Sequence, residues 1–188
     1  YAFCALASSE TNCKEFLRPY LAEAVASVCG DDVELCAVCV AKGMEFLNAP
    51  YETIQKVTED LVRSDGERYC FSKSQEEVDT LLWEAQLKYV FPLVENYRRY
   101  FVKKYYDFIK AALPINNGYG DQVMVPEEAE LGNLMYLVER GGIPVSAEES
   151  MELKRYRKAR NELAHMNLLS NEELCVILKA GKHKTASD

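Results

Sequence analysis

Three observations predict an all-α protein. Apolar residues recur every three to four positions along most of the 188-residue chain, the period of helices with one buried face. Ser-x-x-Glu capping boxes at Ser74, Ser146 and Ser170 each stand just ahead of such a stretch. Strand-like alternation beside a tight-turn dipeptide occurs once, around Asp65-Gly66.

From about Lys14 to Cys29, Phe16, Leu17, Leu21, Ala24, Val25 and Val28 trace one stripe, which Gly30 stops. A second helix begins after Asp31 or Asp32 and carries Leu35, Val38, Cys39 and Ala41. Pro50 opens a third, with Ile54, Val57, Leu61 and Val62 on one face and Glu52 near its positive end. The segment Leu61 to Phe71 then reads as a hairpin turning at Asp65-Gly66. Helices followed by a short hairpin make residues 1–73 a small module that is either winged-helix-like or simply helical.

Ser74 starts a helical pattern that persists to Ala112, with Pro92 expected to kink or restart it. Residues 114 to 126 hold a glycine- and asparagine-rich loop too polar and broken for regular structure. A helix from about Glu127 to Arg140 ends at Gly141-Gly142, another runs from Ser146 to His165, and a last one runs from Ser170 to Gly181. Residues 74–181 thus form a helical bundle, and 182–188, with His183, read as a flexible tail.

Composition narrows the function. With 48% apolar residues and twelve tyrosines there is ample material for a core. No apolar run reaches the roughly 18 to 20 residues that span a bilayer, and the N-terminus lacks a signal-peptide pattern, so no membrane partner and a cytoplasmic location are expected. The chain begins at Tyr1 rather than methionine, which suggests a piece of a longer protein. Seven cysteines, an odd number spread along the chain, suit a reducing compartment and read as core thiols. Cys36 and Cys39 form a CxxC pair, yet no second pair or nearby histidine completes four ligands, so neither metal nor cofactor is expected. A net charge of −8 excludes indiscriminate phosphate binding. Nucleic-acid contact must be local, through Arg98, Arg99, Lys103 and Lys104 or through the basic residues from Lys154 to Arg160.

The second basic cluster carries chemistry. Arg160 has the planar fork that grips two phosphate oxygens, and His165 can move a proton near neutral pH. Asn161, one turn before His165, can orient the imidazole. Cleavage of RNA by its own 2′-OH needs a base, an acid and positive charge on the developing phosphorane, and one histidine cannot easily be both base and acid. A second copy of the motif across a two-fold axis would complete the set.

Arg160, four residues and His165, with the polar Asn161 after the arginine, resemble the R-x4-6-H signature of HEPN (higher eukaryotes and prokaryotes nucleotide-binding) domains. The upstream Phe91-Pro-Leu-Val-Glu-Asn-Tyr-Arg-Arg99 is similar to the first long helix of that family. The resemblance spans about residues 75 to 180. It implies a four- or five-helix bundle that dimerises with its motifs face to face and, in active members, a metal-independent endoribonuclease of toxin, defence or RNA-processing systems. Carried over, Arg160 stabilises the scissile phosphate, His165 exchanges protons and Asn161 positions the site, with Glu95 in a supporting role and Arg157, Lys158, Arg98 and Arg99 guiding RNA. RNA, a second copy, and an upstream domain or cognate antitoxin are the implied partners. Where antitoxin-paired members often carry a tyrosine two residues past the histidine, this chain has Asn167, which counts against silencing by nucleotide addition there. The rival classes are a non-enzymatic HEPN scaffold that binds RNA, nucleotide or protein, with Arg160 locked in a structural ion pair, and a winged-helix DNA-binding regulator.

Overall fold

Ten α-helices and one two-stranded ladder make up the described residues of the computed structural model, which are 1–116 and 122–184, with side chains to residue 180. The middle of the polar loop (117–121) and the end of the tail (185–188) lie outside them. The all-α expectation holds. No helix among the described residues is long and apolar enough to cross a membrane.

The N-terminal part comprises α1 (Ala2–Ser8), a 3-10 turn (Glu15–Leu17), α2 (Arg18–Cys29), α3 (Val33–Lys42), α4 (Met44–Asn48) and α5 (Pro50–Asp60). Asp32 caps α3 by accepting the Leu35 N–H at 3.0 Å. α3 and α4 are separated by Gly43 at φ 55, where an added Cβ would sit 2.7 Å from Asn12 Oδ1.

The hairpin expected at 61–71 is reduced to one antiparallel bridge, Val62 with Arg68. Leu61, Tyr69 and Phe71 pack on the core, but residues 62–68 between them are exposed, and a lone two-stranded ribbon is marginal in water. Side chains hold it instead: Arg63 donates to Asp32 Oδ2 at 2.7 Å and lies 4.7 Å over the Tyr69 ring. The ladder forms in the loop read as irregular, where β1 (Ile115–Asn116) pairs with β2 (Gln122–Val123). Ile115 and Val123 face each other with both side chains buried, so two apolar residues outweigh the loop's polar composition.

α6 (Gln75–Lys104) is the central rod. It runs through Pro92 without restarting; Pro92 and Lys88, the residue whose carbonyl loses its helical donor, are both exposed. It stops at Tyr105, earlier than the periodicity suggests, and α7 (Tyr106–Ala111) follows. The single helix expected from Glu127 divides into a 3-10 turn (Pro126–Glu128) and α8 (Leu131–Glu139). The break has a cause: the Arg98 guanidinium takes the carbonyls of Glu127 at 2.7 Å and Ala129 at 3.2 Å, and Glu130 and Asn133 cap α8 reciprocally. α9 (Ala147–Ala164) and α10 (Asn171–Lys184) start at the expected Ser146 and Ser170 boxes.

α9 lies against α6, with the Tyr97 and Tyr156 rings stacked at 4.0 Å. α2 packs on another side of α6, and one buried cluster runs from Cys4 to Leu178. The boundary read at residue 73 falls in the extended stretch before α6, and the core continues across it. Asn171 on α10 donates to the Leu47 carbonyl at 2.7 Å, and Gln86 on α6 donates to the Tyr20 hydroxyl at 3.3 Å.

Glu149, at the start of α9, is held down at about 2 from its ordinary 4.5 by the Lys104 ammonium, by the Ser146 backbone N–H and by the Tyr105 hydroxyl, which donates at 2.9 Å. Because the folded value is depressed, this contribution is complete above pH 4.5 and disappears as pH falls to about 2. Partial exposure of both partners keeps it to about 1 kcal/mol or less. Glu149→Gln should therefore lower the melting temperature at pH 7 and flatten its fall between pH 4.5 and 2, as thermal melts across that range would show.

Candidate functional site

One arc of α9 carries basic residues without acids. Leu153, Tyr156, Ala159 and Leu163 are buried, which fixes the direction of every other residue at about 100° per position. Measured from Tyr156, Arg160 lies about 40° round the helix, Arg157 about 100°, Asn161 about 140° and His165 about 180°. The four glutamates of α9, Glu148, Glu149, Glu152 and Glu162, all fall outside this arc. Basic residues usually alternate with acids on a solvated face, as Arg155 does between Glu162 and Glu148, but on this arc they do not.

The cations on the arc are uncommitted. Among the described residues, the side chains of Arg157, Arg160 and His165 make no hydrogen bond or ion pair, and all three are exposed. Arg160 is thus not locked in the structural ion pair that a scaffold role predicts. Ala164, also exposed, lies within the same arc, about 80° round from Tyr156.

His165 occupies the C-cap of α9, its backbone N–H directed to the Asn161 and Glu162 carbonyls at 3.1 Å each. Met166 adopts φ 61 and reverses the chain. The Asn167 N–H closes on the Glu162 carbonyl at 2.9 Å, and its side chain donates to the Glu162 carboxylate, also at 2.9 Å. Glu162, the acid next in sequence to Asn161, is thereby held at the turn.

Two residues of α6 secure this end of α9. Trp83 Nε1 donates to the Leu163 carbonyl at 2.9 Å. Gln86 accepts the Leu169 N–H at 2.8 Å and donates to the Leu169 carbonyl at 3.1 Å. Sequence reasoning passed over both. Gln86 left a trace, since a polar residue midway between Leu82 and Val90 on a buried stripe needs partners for its amide.

The remaining predicted residues lie elsewhere. Glu95 sits about 160° round α6 from Tyr97, hence turned away from α9. It receives Arg98 Nη2 at 2.6 Å and Arg99 Nε at 3.3 Å, and its carboxyl is held below the usual range chiefly by Arg98. Arg98 is consumed by Glu95 and two backbone carbonyls. Arg99 remains mostly exposed. Lys158 pairs with Glu173 of α10 at 2.6 Å, which raises the lysine and lowers the glutamate. Of the RNA-guiding residues expected, only Arg157 stands beside Arg160 with its charge unspent.

An open cleft of about 510 Å³ adjoins the turn after His165, between Trp83 and Met166. Glu76 and Asp79 on its wall repel phosphate, so a polyanion must approach across Arg157 rather than from there. The cysteine reading holds for Cys4, Cys13, Cys29, Cys36 and Cys39, which are buried, but Cys70 is exposed and Cys175 only half-buried.

Comparison with known proteins returned no matching family model, no matching curated protein and no matching solved structure.

Proposed function

We propose that the protein is a metal-independent endoribonuclease of the HEPN type, serving a toxin, defence or RNA-processing system, whose active site is completed by a second copy of the chain. The observation that carries this reading is the acid-free arc of α9, which presents uncommitted Arg160 and Arg157 beside Asn161 and His165. Arg160 binds the scissile phosphate and stabilises the dianionic phosphorane. His165 takes the 2′-OH proton or returns one to the leaving 5′-oxygen, and Asn161 positions the ring.

About 140° round the helix separates Arg160 from His165, so one chain presents them in diverging directions. Two arcs meeting across a two-fold axis would bring an arginine and two histidines to one phosphate, dividing base and acid between the copies. RNA and the second copy are the partners this chemistry requires, and an upstream domain or antitoxin would restrain it.

The test uses a single-stranded RNA in EDTA and the same RNA carrying one 2′-deoxynucleotide at the mapped cleavage position. Cleavage should leave 2′,3′-cyclic phosphate and 5′-hydroxyl ends and stop at the deoxy position. Loss of activity in EDTA, or cleavage at the deoxy position, would overturn the reading.

A further inference from the structure

The open cleft beside the turn after His165 has an aromatic wall and an acceptor-rich rim that the cleavage chemistry does not use. Its α6 side is one stripe, Gln75, Glu76, Asp79, Thr80 and Trp83, which spans about 140° of that helix. Met166 and Leu168, 63% and 37% exposed, line the side formed by the turn. At about 510 Å³ the cleft falls within the roughly 300 to 1,000 Å³ of small-ligand sites. The indole is held in place, because Trp83 Nε1 donates to the Leu163 carbonyl at 2.9 Å. Among the described residues, the Glu76 and Asp79 carboxylates make no hydrogen bond or ion pair, and no cation lines the cleft. Thr80 has given its proton to the Glu76 carbonyl at 2.9 Å, which leaves its oxygen to accept.

We propose that this cleft takes a guanine base of single-stranded RNA, at a nucleotide flanking the phosphate bound by Arg160; for that phosphate the inference rests on the ribonuclease reading. Met166 directly follows His165 in the chain, so a strand with its phosphate at His165 has the cleft beside it. A base is neutral and flat, and it enters where the acids turn its own phosphate back toward Arg157 and Arg160. It lies on the indole, as single-strand binders stack bases on aromatic rings. Asp79 is one turn before Trp83 and about 40° round, so its carboxylate stands at the edge of a ring stacked there.

The donor pattern selects the base. Guanine carries N1–H and its N2 amine side by side, which the two oxygens of one carboxylate accept together, and its O6 can take an N–H from the Gln75 amide. Adenine and cytosine offer one exocyclic amine beside a ring nitrogen whose lone pair faces the carboxylate. The single ring N–H of uracil lies between two carbonyl oxygens. A carboxylate repels all of those lone pairs, and Glu76, less than a turn from Asp79, adds to the field that favours donors.

Trp83 is the sole tryptophan of the chain, so its emission reports on the cleft alone. The probes are 2′-O-methyl hexauridylate, which has no 2′-hydroxyl to cut itself, and the same oligomer with one guanine, adenine, cytosine or hypoxanthine at its centre. The expected result is saturable quenching about 5- to 150-fold tighter with guanine than with adenine, cytosine or uracil, and intermediate with hypoxanthine, which lacks the N2 amine. Asp79→Asn and Glu76→Gln, neither of them buried, should each weaken the guanine preference. In EDTA, the cut positions in an RNA holding all four bases should lie next to guanine. Equal quenching by every oligomer, or a guanine preference unchanged in both variants, would overturn the proposal. Cleavage indifferent to the neighbouring base would overturn it too, while leaving the ribonuclease reading in place. Guanine-selective quenching without any cleavage would support the cleft and remove the ribonuclease reading.

Discussion

Arg160→Ala and His165→Ala should each abolish RNA cleavage, by about 10²- to 10⁴-fold in kcat/KM, while the helical fold survives intact. Both side chains are exposed, and His165 caps α9 through its backbone N–H, which alanine retains. Neither substitution opens a cavity or strands a buried group, so stability should stay within about 0.5 kcal/mol. The expected losses differ in kind. Arg160 binds charge that develops in the transition state, so its removal should lower kcat more than it raises KM. Removing the proton carrier at His165 should also erase a limb of the pH–rate profile. Arg157→Ala, on the same arc but away from proton transfer, should mainly raise KM and weaken the salt dependence of binding. Cleavage assays beside circular dichroism check all three variants, and unchanged cleavage in either of the first two would sink the ribonuclease reading.

The periodic stripes made the helices legible, and the serine boxes fixed the starts of α6, α9 and α10, because capping is decided by residues three apart. What the sequence hid depends on partners distant in the chain. Arg98 looked like an RNA contact but breaks the helix expected from Glu127 by taking two of its carbonyls, 29 and 31 residues away. Lys158 belonged to the basic run, yet Glu173 on the next helix claims it. Asp65-Gly66 marked a true turn, but only Leu61, Tyr69 and Phe71 at the ends of the segment pack on the core, and Val62 to Arg68 stay exposed. The candidate site was readable as Arg160, Asn161 and His165 because those residues are close in sequence and on one helix. Which cations on and beside that face keep their charge unspent was not readable there, because Lys158 is claimed by another helix while Arg157 and Arg160 have no ion pair among the described residues.

Gln86→Leu should be the most destabilising single substitution near the site, at roughly 3 kcal/mol. Gln86, Tyr20 and Leu169 are 3%, 3% and 4% exposed, so the amide works where water cannot replace it. Leucine fills a similar volume but strands the Leu169 N–H and carbonyl together, and each buried orphan costs about 1 to 3 kcal/mol. The apolar gain of the leucine offsets part of that. In urea the midpoint should drop with the slope unchanged, since the surface exposed on unfolding is nearly the same. Activity should fall too, although Gln86 touches no phosphate. Leu169 is four residues past His165, and the turn between them is tied to α6 by two anchors, Gln86 and the Trp83 bond to Leu163. Freeing one anchor lets the C-cap fray, which spreads the imidazole over orientations that no longer face the phosphate. A loss below about 1 kcal/mol would mean that the turn repacks to satisfy Leu169 on its own. In that case cleavage should also be close to wild type, because both effects come from the same two hydrogen bonds.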